Sequence, residues 1–510
     1  MIVDTGLGKV RGLEKHGVLQ FRGIPYARAE RFRPAEPAEP WVGIRDATEF
    51  GPMAPQNASP LEAMLGGQQQ PGAEDCLVLN VYTPAADDAA RPVMVWLHGG
   101  AFVAGSGHIP WYDGSNLARL YDVVVVTLNY RLGALGFLHL GQLDPVFAGS
   151  GSNGIGDQVQ ALRWVRDNVA AFGGDPASIT IFGESAGAMS VSTLLGTPAA
   201  AGLFRGAIAQ SGAAAHVHDT TTATWVTERF LATLGLSPAG ADALLALPVD
   251  DILRAQATVD AEVQRGAGPG IGRLAFEPVV DGALLPQPPL DAIRAGSATG
   301  VNLLVGTTAD EWNLFQLQAR TNGEVAEDRL RRRLARVVGD DRVDDTLTIY
   351  REARPAADLE GLFCAAMTDW VFRMPAIGLA EAQVAHAPRV SMYRFDYPST
   401  AFGGALGACH AIDLPFAFAN LDRGGVELML GGIDESTRRL ADRVSWAWAA
   451  AARTGAPEHD DLAWPAYDAD RRATCLLDRD VSVVDDPAGD IRRLWEELAP
   501  VLTPPSQPVP

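Results

Sequence analysis

Apolar and polar positions in the N-terminal part of the chain follow the order strand, helix, strand, helix. The runs at residues 93–97 and 123–128 are almost wholly apolar, which is typical of strands buried on both faces of a parallel sheet. Residues 157–169 carry apolar side chains at helical spacing, and glycines and a proline at 173–176 end that helix. The next apolar run, at 179–182, leads into a small-residue helix. The pattern predicts an α/β fold with a mostly parallel central sheet.

Two later stretches are predicted to be helical insertions, at about residues 215–300 and 318–385. Insertions of this kind usually cover the carboxyl edge of the sheet, so we expect both to roof the functional site. We predict one catalytic domain over residues 1–503, followed by a Pro-rich tail at 504–510. Further strands are predicted at 18–21, 77–82, 303–306 and 390–395.

A Gly-Glu-Ser-Ala-Gly segment at residues 183–187 joins the strand at 179–182 to the helix that follows. A serine hydroxyl is a weak nucleophile in water, and a sharp strand-to-helix turn presents it to a base and to backbone N–H groups. The two glycines let the strand and the helix pass close to that turn. The segment predicts a nucleophile elbow with Ser185 as the nucleophile.

An elbow serine needs an acid and then a histidine later in the chain. Asp310 and Glu311 follow the predicted strand at 303–306, and spacing alone allows either carboxylate to be the acid. His410 lies in a small-residue loop and is the candidate base. Because a base must be neutral, activity is expected to fall as the pH drops through about 6.5, the ordinary pKa of histidine.

A glycine-rich turn over residues 98–102 follows the apolar run at 93–97. Small residues there let backbone N–H groups come within hydrogen-bond distance of a substrate oxygen. The N–H of the residue after the nucleophile completes such a site. The turn therefore predicts an oxyanion hole, in which His98 is expected to fix the loop and not to react.

The formal charge of −21 limits the partners of this chain. An acidic protein is repelled by nucleic acid and by anionic membrane surfaces, so neither is expected as a partner. No apolar stretch approaches the roughly 20 residues that span a bilayer, and the first residues lack the basic and apolar regions of a signal peptide. We expect a cytoplasmic protein.

Cysteine and histidine spacing gives no sign of a metal or another cofactor, and none is expected. His216 and His218 form the only close histidine pair, and without nearby ligands in the sequence they are expected to lie in a solvated loop. Free thiols are expected for four widely separated cysteines, Cys76, Cys364, Cys409 and Cys475.

Short motifs follow one another along nearly the whole chain. They lie at residues 21–27, 31–32, 74–81, 129–133, 172–176, 183–187, 210–212, 310–311, 407–410, 455–457 and 464–465. In these motifs the sequence resembles the type-B carboxylesterases, a group that includes bacterial para-nitrobenzyl esterases and cholinesterases. The resemblance implies the α/β-hydrolase fold and a serine esterase that needs no cofactor. Its substrates would be a small-molecule ester and water.

Carried over to this sequence, the resemblance implies Ser185 as nucleophile, Glu311 as acid and His410 as base. It selects Glu311 over Asp310, which spacing left open.

The resemblance also implies an oxyanion hole made by the N–H groups of Gly100, Ala101 and Ala186. Glu184 would be a supporting buried carboxylate, and Ser211 a hydroxyl near the triad.

Arg31 and Glu74 match the family's structural ion pair.

Two departures from the family pattern narrow the expected location and substrates. The cysteine that pairs with the Cys76 position in secreted relatives is missing from residues 51–56. That disulfide cannot form, which agrees with a cytoplasmic location. The loop that follows also lacks the tryptophan with which cholinesterases hold a quaternary ammonium, so choline esters are not the expected substrates.

Apolar residues close in sequence to the candidate catalytic residues suggest a substrate pocket, although core packing explains each of them about as well. A pocket lined by them would take uncharged esters with aromatic or short-to-medium acyl groups. The alternatives are an amide or carbamate hydrolase with the same triad and, far less favoured, a non-catalytic binding protein on the same fold. The candidate pocket residues are Phe102, Met189, Leu314, Phe315 and Phe416.

Overall fold

The computed structural model describes most of the chain and is built around one large sheet. The Pro-rich tail predicted at 504–510 lies outside the described residues, and the division into one catalytic domain stays a prediction. The described residues are 1–59, 63–64, 66–67, 72–269, 274–320, 327–458 and 463–502.

Strands of this sheet run in the order β16-β15-β14-β13-β12-β11-β9-β10-β8-β4-β3. All pairs from β10 to β15 through the centre are parallel, and antiparallel pairs form both ends. The strands are β1 (Ile2–Thr5), β2 (Gly8–Arg11), β3 (Leu13–Lys15), β4 (Val18–Pro25), β5 (Ala27–Arg28), β6 (Glu36–Pro37), β7 (Ile44–Asp46), β8 (Val78–Thr83), β9 (Arg91–Leu97), β10 (Val124–Leu128), β11 (Gly174–Glu184), β12 (Gly206–Gln210), β13 (Asn302–Thr308), β14 (Val390–Phe395), β15 (Ala473–Leu477) and β16 (Ser482–Asp485).

The apolar runs predicted to be buried parallel strands are β9 and β10, which pair in parallel from Val124 opposite Val93 onward. Every residue of both strands is buried. The other neighbour of β9 is β11, the strand that ends at Glu184. The predicted mostly parallel sheet is therefore confirmed, and β9 and β11 end side by side at its carboxyl edge.

Helices cover both faces of the sheet, and the predicted crossover helix is α3. The second helical stretch begins at Trp312, earlier than predicted, where the hydroxyl of Thr368 accepts a hydrogen bond from the Trp312 N–H at 3.1 Å. The helices are α1 (Ser115–Tyr121), α2 (Gly133–Phe137), α3 (Asn153–Asn168), α4 (Ala186–Leu195), α5 (Thr220–Thr233), α6 (Val249–Gln264), α7 (Pro289–Arg294), α8 (Trp312–Arg320), α9 (Glu327–Val338), α10 (Val343–Ala353), α11 (Leu359–Thr368), α12 (Met374–Val384), α13 (Leu414–Ala417), α14 (Val426–Leu430), α15 (Glu435–Thr454) and α16 (Gly489–Leu502).

Alternate side chains of β9 enter two separate hydrophobic clusters. Val93 and Val95 belong to one cluster, whereas Met94 and Trp96 belong to the other. Because successive side chains of a strand point to opposite faces, these clusters are the cores on the two sides of the sheet. A third cluster joins helices α9 to α11 to the C-terminal helix α16.

Helices α11 and α12 are continuous through a π-helical turn at Asp369–Arg373. The combined helix Leu359–Val384 has the length and composition to cross a membrane, with a mean hydropathy of 1.2, but 72% of its most apolar window is buried inside the fold. This corrects the expectation that no apolar stretch approaches that length. Asp369 and Arg373 interrupt the run in the sequence, and in the fold they pair with each other at 3.1 Å.

Candidate active site

Ser185 lies at the tight turn between β11 and α4, with φ +56° and ψ −127°. This is a left-handed conformation that a serine adopts only when its surroundings impose it. A methyl group at Gly187 would overlap the Leu97 carbonyl oxygen, and one at Gly183 would lie 2.5 Å from the Gly187 carbonyl carbon. Both glycines are therefore required for the close passage of strand and helix that the sequence predicted.

The glycine-rich turn after β9 lies directly beside this serine. A Cβ at Gly99 would be 3.1 Å from the Ser185 Cβ. Among the described residues, the N–H groups of Gly100, Ala101 and Ala186 have no protein hydrogen-bond acceptor. Backbone N–H groups without an acceptor close to a nucleophile are what an oxyanion hole requires.

His410 and Glu311 form a buried pair. His410 Nδ1 lies 2.6 Å from Glu311 Oε2, and both side chains are at most 1% exposed. The other carboxylate oxygen accepts the Thr308 N–H at 2.8 Å, and the His410 N–H donates to the Glu311 carbonyl at 3.3 Å. The carboxylate thus orients the ring through Nδ1, so that Nε2 points away from Glu311.

Asp310, the other candidate acid, binds the loop that carries the histidine and not the histidine itself. Its backbone N–H donates to the Ala408 carbonyl at 2.9 Å, and its carboxylate accepts the Ala408 N–H at 3.2 Å. Arg354, at the end of α10, pairs with the same carboxylate at 2.8 Å. Of the two carboxylates that spacing left open, Glu311 alone contacts the imidazole.

Glu184 reaches the opposite side of the same ring. Its Oε1 lies 3.1 Å from His410 Nε2, and burial raises the pKa of Glu184 to about 8. Burial also lowers the pKa of His410, but the nearby Glu184 and Glu311 carboxylates outweigh it and raise the pKa to about 9. No hydrogen bond joins Ser185 to His410 in the described part of the chain.

A third carboxylate near the histidine, Asp413, was not singled out from the sequence. It accepts hydrogen bonds from Gln210 at 3.0 Å and from Tyr393 at 3.1 Å. Burial raises its pKa to about 6. Its partners lie on β12 and β14, far apart in the chain, so no local motif indicated it.

His98, predicted to fix the glycine-rich turn, and Ser211, predicted near the triad, are both buried. Nδ1 of His98 contacts the Gly99 carbonyl at 2.8 Å, and its ring stacks on Tyr130 with centroids 4.4 Å apart. Burial lowers the pKa of His98 to about 4, so the ring is neutral. Ser211 is fully buried with φ +54°, and its N–H donates to the Gly306 carbonyl at 2.8 Å.

One of the predicted pocket residues contacts the histidine. The Phe315 ring is 5.1 Å from the His410 ring, whereas Phe102 packs on Phe137 and Phe416 on Phe395. Met189 and Leu314 are buried in the two core clusters.

Sequence reasoning missed Phe372, whose ring is 4.9 Å from His410 and nearly parallel to Phe315 at 6.2 Å. It lies in the π-helical turn of the second insertion, in none of the motifs noted in the sequence. Only the chain fold brings it to the site.

The histidine pair expected in a solvated loop packs against the fold, with His218 buried and His216 partly buried, so that expectation was wrong. His218 is 2% exposed, and Nδ1 of His216 and of His218 lie 3.5 and 3.7 Å from the carboxylate of Glu277. Glu277 is distant from the pair in the sequence and is fully buried. Its contacts with both rings hold the loop against the fold. Across the described ranges, no group of three or more histidine, cysteine or acidic side chains is arranged to hold a metal ion.

Two further predictions concern parts of the chain beyond the triad. Arg31 and Glu74 form a bidentate ion pair at 2.8 and 2.5 Å, and Arg31 also donates to the Leu244 carbonyl at 2.8 Å. The predicted ion pair is thus present and anchors the first insertion. All four cysteines are free and buried.

Comparisons with known proteins cover nearly the whole chain. The sequence model of the Carboxylesterase family matches residues 1–490. The chain is 39% identical to the para-nitrobenzyl esterase of Bacillus subtilis (strain 168), over 96% of this chain and 98% of that one. It is 36% identical to a phenmedipham hydrolase of Pseudarthrobacter oxydans, with 96% of each chain covered. The structure of the Geobacillus stearothermophilus carboxylesterase EST55 at pH 6.2 superposes with a TM-score of 0.86 at 42% identity, covering 97% of this chain and 99% of that one, which confirms the α/β-hydrolase fold.

Proposed function

The chain belongs to the carboxylesterase family, and on that premise we propose that Ser185, Glu311 and His410 carry out its reaction. As a serine carboxylesterase it hydrolyses carboxylic esters. The observation that carries the residue assignment is the buried 2.6 Å contact between His410 Nδ1 and Glu311. With Nδ1 engaged by Glu311, the serine proton has to pass to Nε2, which also contacts Glu184 at 3.1 Å.

In the first half of the reaction, Ser185 Oγ attacks the ester carbonyl carbon and its proton passes to His410 Nε2. The Oγ hydroxyl turns toward Nε2 when the ester binds, as catalytic hydrogen bonds are often long in unliganded enzymes. The carbonyl oxygen becomes an oxyanion and accepts hydrogen bonds from Gly100, Ala101 and Ala186. The bond to the alcohol oxygen then breaks, and the alcohol leaves with the proton from Nε2.

In the second half, water attacks the acyl-enzyme and gives one proton to Nε2. Collapse of this second tetrahedral intermediate breaks the bond to Ser185 Oγ, which takes the proton back from His410. The free carboxylic acid leaves. Glu311 holds the imidazole in one tautomer and stabilises its charged form in both halves.

The substrates we propose are uncharged esters with aromatic or short-to-medium acyl groups. The parallel rings of Phe315 and Phe372 beside His410 support an apolar wall at the reacting carbon. The four free cysteines support a reducing compartment, the cytoplasm, as its location.

Carbamate or amide hydrolysis by the same residues is the second candidate. The 36% identity with a phenmedipham hydrolase is the observation in its favour. Matched phenyl ester, phenyl carbamate and anilide substrates separate the two. Higher kcat/KM on the ester supports the first candidate, and higher kcat/KM on the carbamate or the anilide supports the second.

The nucleophile is tested with Ser185→Ala, which should abolish hydrolysis of p-nitrophenyl butyrate and prevent covalent labelling by a fluorophosphonate. Ser192→Ala is the matched control on the same helix, since within the described ranges its hydroxyl bonds only to the Ala188 carbonyl, at 2.9 Å. The control should keep full activity and labelling. Activity of Ser185→Ala near that of the parent protein would overturn the assignment.

A further inference from the structure

Gln56 makes a two-way amide contact with the turn that follows β9. Its Nε2 donates to the Gly105 carbonyl at 2.9 Å, and its Oε1 accepts the Gly105 N–H at 2.8 Å. The same Nε2 also donates to the Ala54 carbonyl at 3.1 Å. One side chain therefore satisfies both backbone groups of Gly105, as a neighbouring strand would.

Gly105 in turn packs against the start of the same turn. A methyl group there would overlap His98 Nδ1 and the Gly99 carbonyl oxygen, and its φ of +115° favours glycine. One at Gly100 would overlap the Ala104 carbonyl oxygen, so residues 99–105 fold tightly onto themselves. The Ala104 N–H also donates to the Gly100 carbonyl at 3.0 Å. A shift of Gly105 is thus transmitted directly to Gly100.

A second amide holds the end of this turn. Asn129 accepts the Gly107 N–H at 2.8 Å, and its Nδ2 donates to the Pro52 carbonyl at 2.9 Å. Residues 52–56 therefore contact the turn both through the Gln56 side chain and through Asn129. Gln56 lies in the segment that has no cysteine to pair with Cys76.

We propose that Gln56 is a positioning residue for the oxyanion hole. By fixing Gly105, it holds the N–H groups of Gly100 and Ala101 at the place where the substrate oxygen becomes charged. The proposal rests on the proposed function of these N–H groups. Because the oxyanion exists only in the transition state and the intermediates, loss of Gln56 should lower kcat and leave KM nearly unchanged.

The test compares Gln56→Leu, which keeps the size but removes both hydrogen bonds, with the parent protein. Loss of one oxyanion donor typically lowers the rate about 10²- to 10³-fold, and donors that are displaced should cost less, about 10- to 100-fold in kcat. Gln56→Asn, whose amide is one methylene too short, should change kcat in the same direction. Asn57→Leu is the control, because it removes the neighbouring 3.0 Å bond to the Leu253 carbonyl, which does not reach the turn.

The inhibition constant (Ki) of a trifluoromethyl ketone is a measurement that a general loss of stability would not change. Its adduct with Ser185 places an oxyanion in the hole, so its Ki should rise in proportion to the fall in kcat/KM of Gln56→Leu. The Ki of the product carboxylic acid and the melting temperature should stay close to the parent values. Unchanged kcat and Ki in a folded Gln56→Leu protein would overturn the proposal, as would a fall in kcat with no change in the ketone Ki.

The same measurements distinguish a wrong assignment of the nucleophile from a wrong role for Gln56. If the ketone forms no adduct with the parent protein, or if Ser185→Ala stays active, the proposed nucleophile is wrong and the role of Gln56 falls with it. If the parent forms the adduct and Gln56→Leu binds the ketone equally well, only the role of Gln56 is wrong.

Discussion

Glu184 Oε1 lies 3.1 Å from His410 Nε2, on the nitrogen that has to accept the serine proton. The pKa values of both groups are raised, that of Glu184 by burial and that of His410 by the carboxylates around it. A proton shared between Oε1 and Nε2 therefore links the titration of the two groups. The base can act only when Nε2 is free of that proton. The pH range in which the enzyme is active therefore depends on Glu184.

The pH dependence of kcat/KM should reflect this pair. His410 is active when neutral, and its pKa is raised to about 9 although burial alone would lower it. The rate should therefore rise with pH through a midpoint well above 6.5. At pH 7 it should already be below its maximum value. This expected midpoint lies above that of an ordinary histidine. A pH–rate profile with p-nitrophenyl butyrate measures it.

Glu184→Gln isolates the contribution of the carboxylate to that midpoint. Removing a negative charge 3.1 Å from Nε2 should move the midpoint of the profile to lower pH, while Glu311 and Asp413 continue to raise it. A midpoint that stays in place, or one that moves upward, would show that Glu184 does not set the pKa of the base.

The two adjacent acids should differ sharply in their effect on the rate. Glu311→Gln removes the charge beside His410 Nδ1 and should lower kcat by roughly 10³- to 10⁴-fold, as loss of the triad acid does elsewhere. Asp310→Asn leaves the imidazole contact intact and weakens only the contacts with Ala408 and Arg354, so its loss should be far smaller. Steady-state kinetics of both variants measure the difference. Equal losses would contradict the assignment of Glu311.

At Gly187 even a substitution by alanine should destabilise the protein. Gly187→Ala sets a methyl group against the Leu97 carbonyl oxygen, and overpacking of this kind costs roughly 1–3 kcal/mol. Gly378→Ala is the control, because no heavy atom lies within 4 Å of its added Cβ inside α12. The control should stabilise the protein by about 0.5–1 kcal/mol. Urea unfolding and ester hydrolysis measure both, and an active Gly187→Ala of full stability would refute the close passage.

Local sequence determined the elements that carry the site. The strand β11, the turn at Ser185 and the helix α4 follow from apolar periodicity and two glycines, because each depends on neighbours a few residues away. Local sequence also determined the buried parallel strands β9 and β10, because both of their faces are apolar. Resemblance to a family then singled out Glu311.

Tertiary structure decided what depends on residues distant in the chain. Phe372 reaches His410 through a π-helical turn that no motif marks. Glu277 contacts His216 and His218, which the local sequence predicts to lie in a solvated loop. The sequence by itself thus determined which residue types take part. The folded chain determined the distances between them, and through burial and charge it set the pKa of His410, because that value depends on carboxylates from three separate segments.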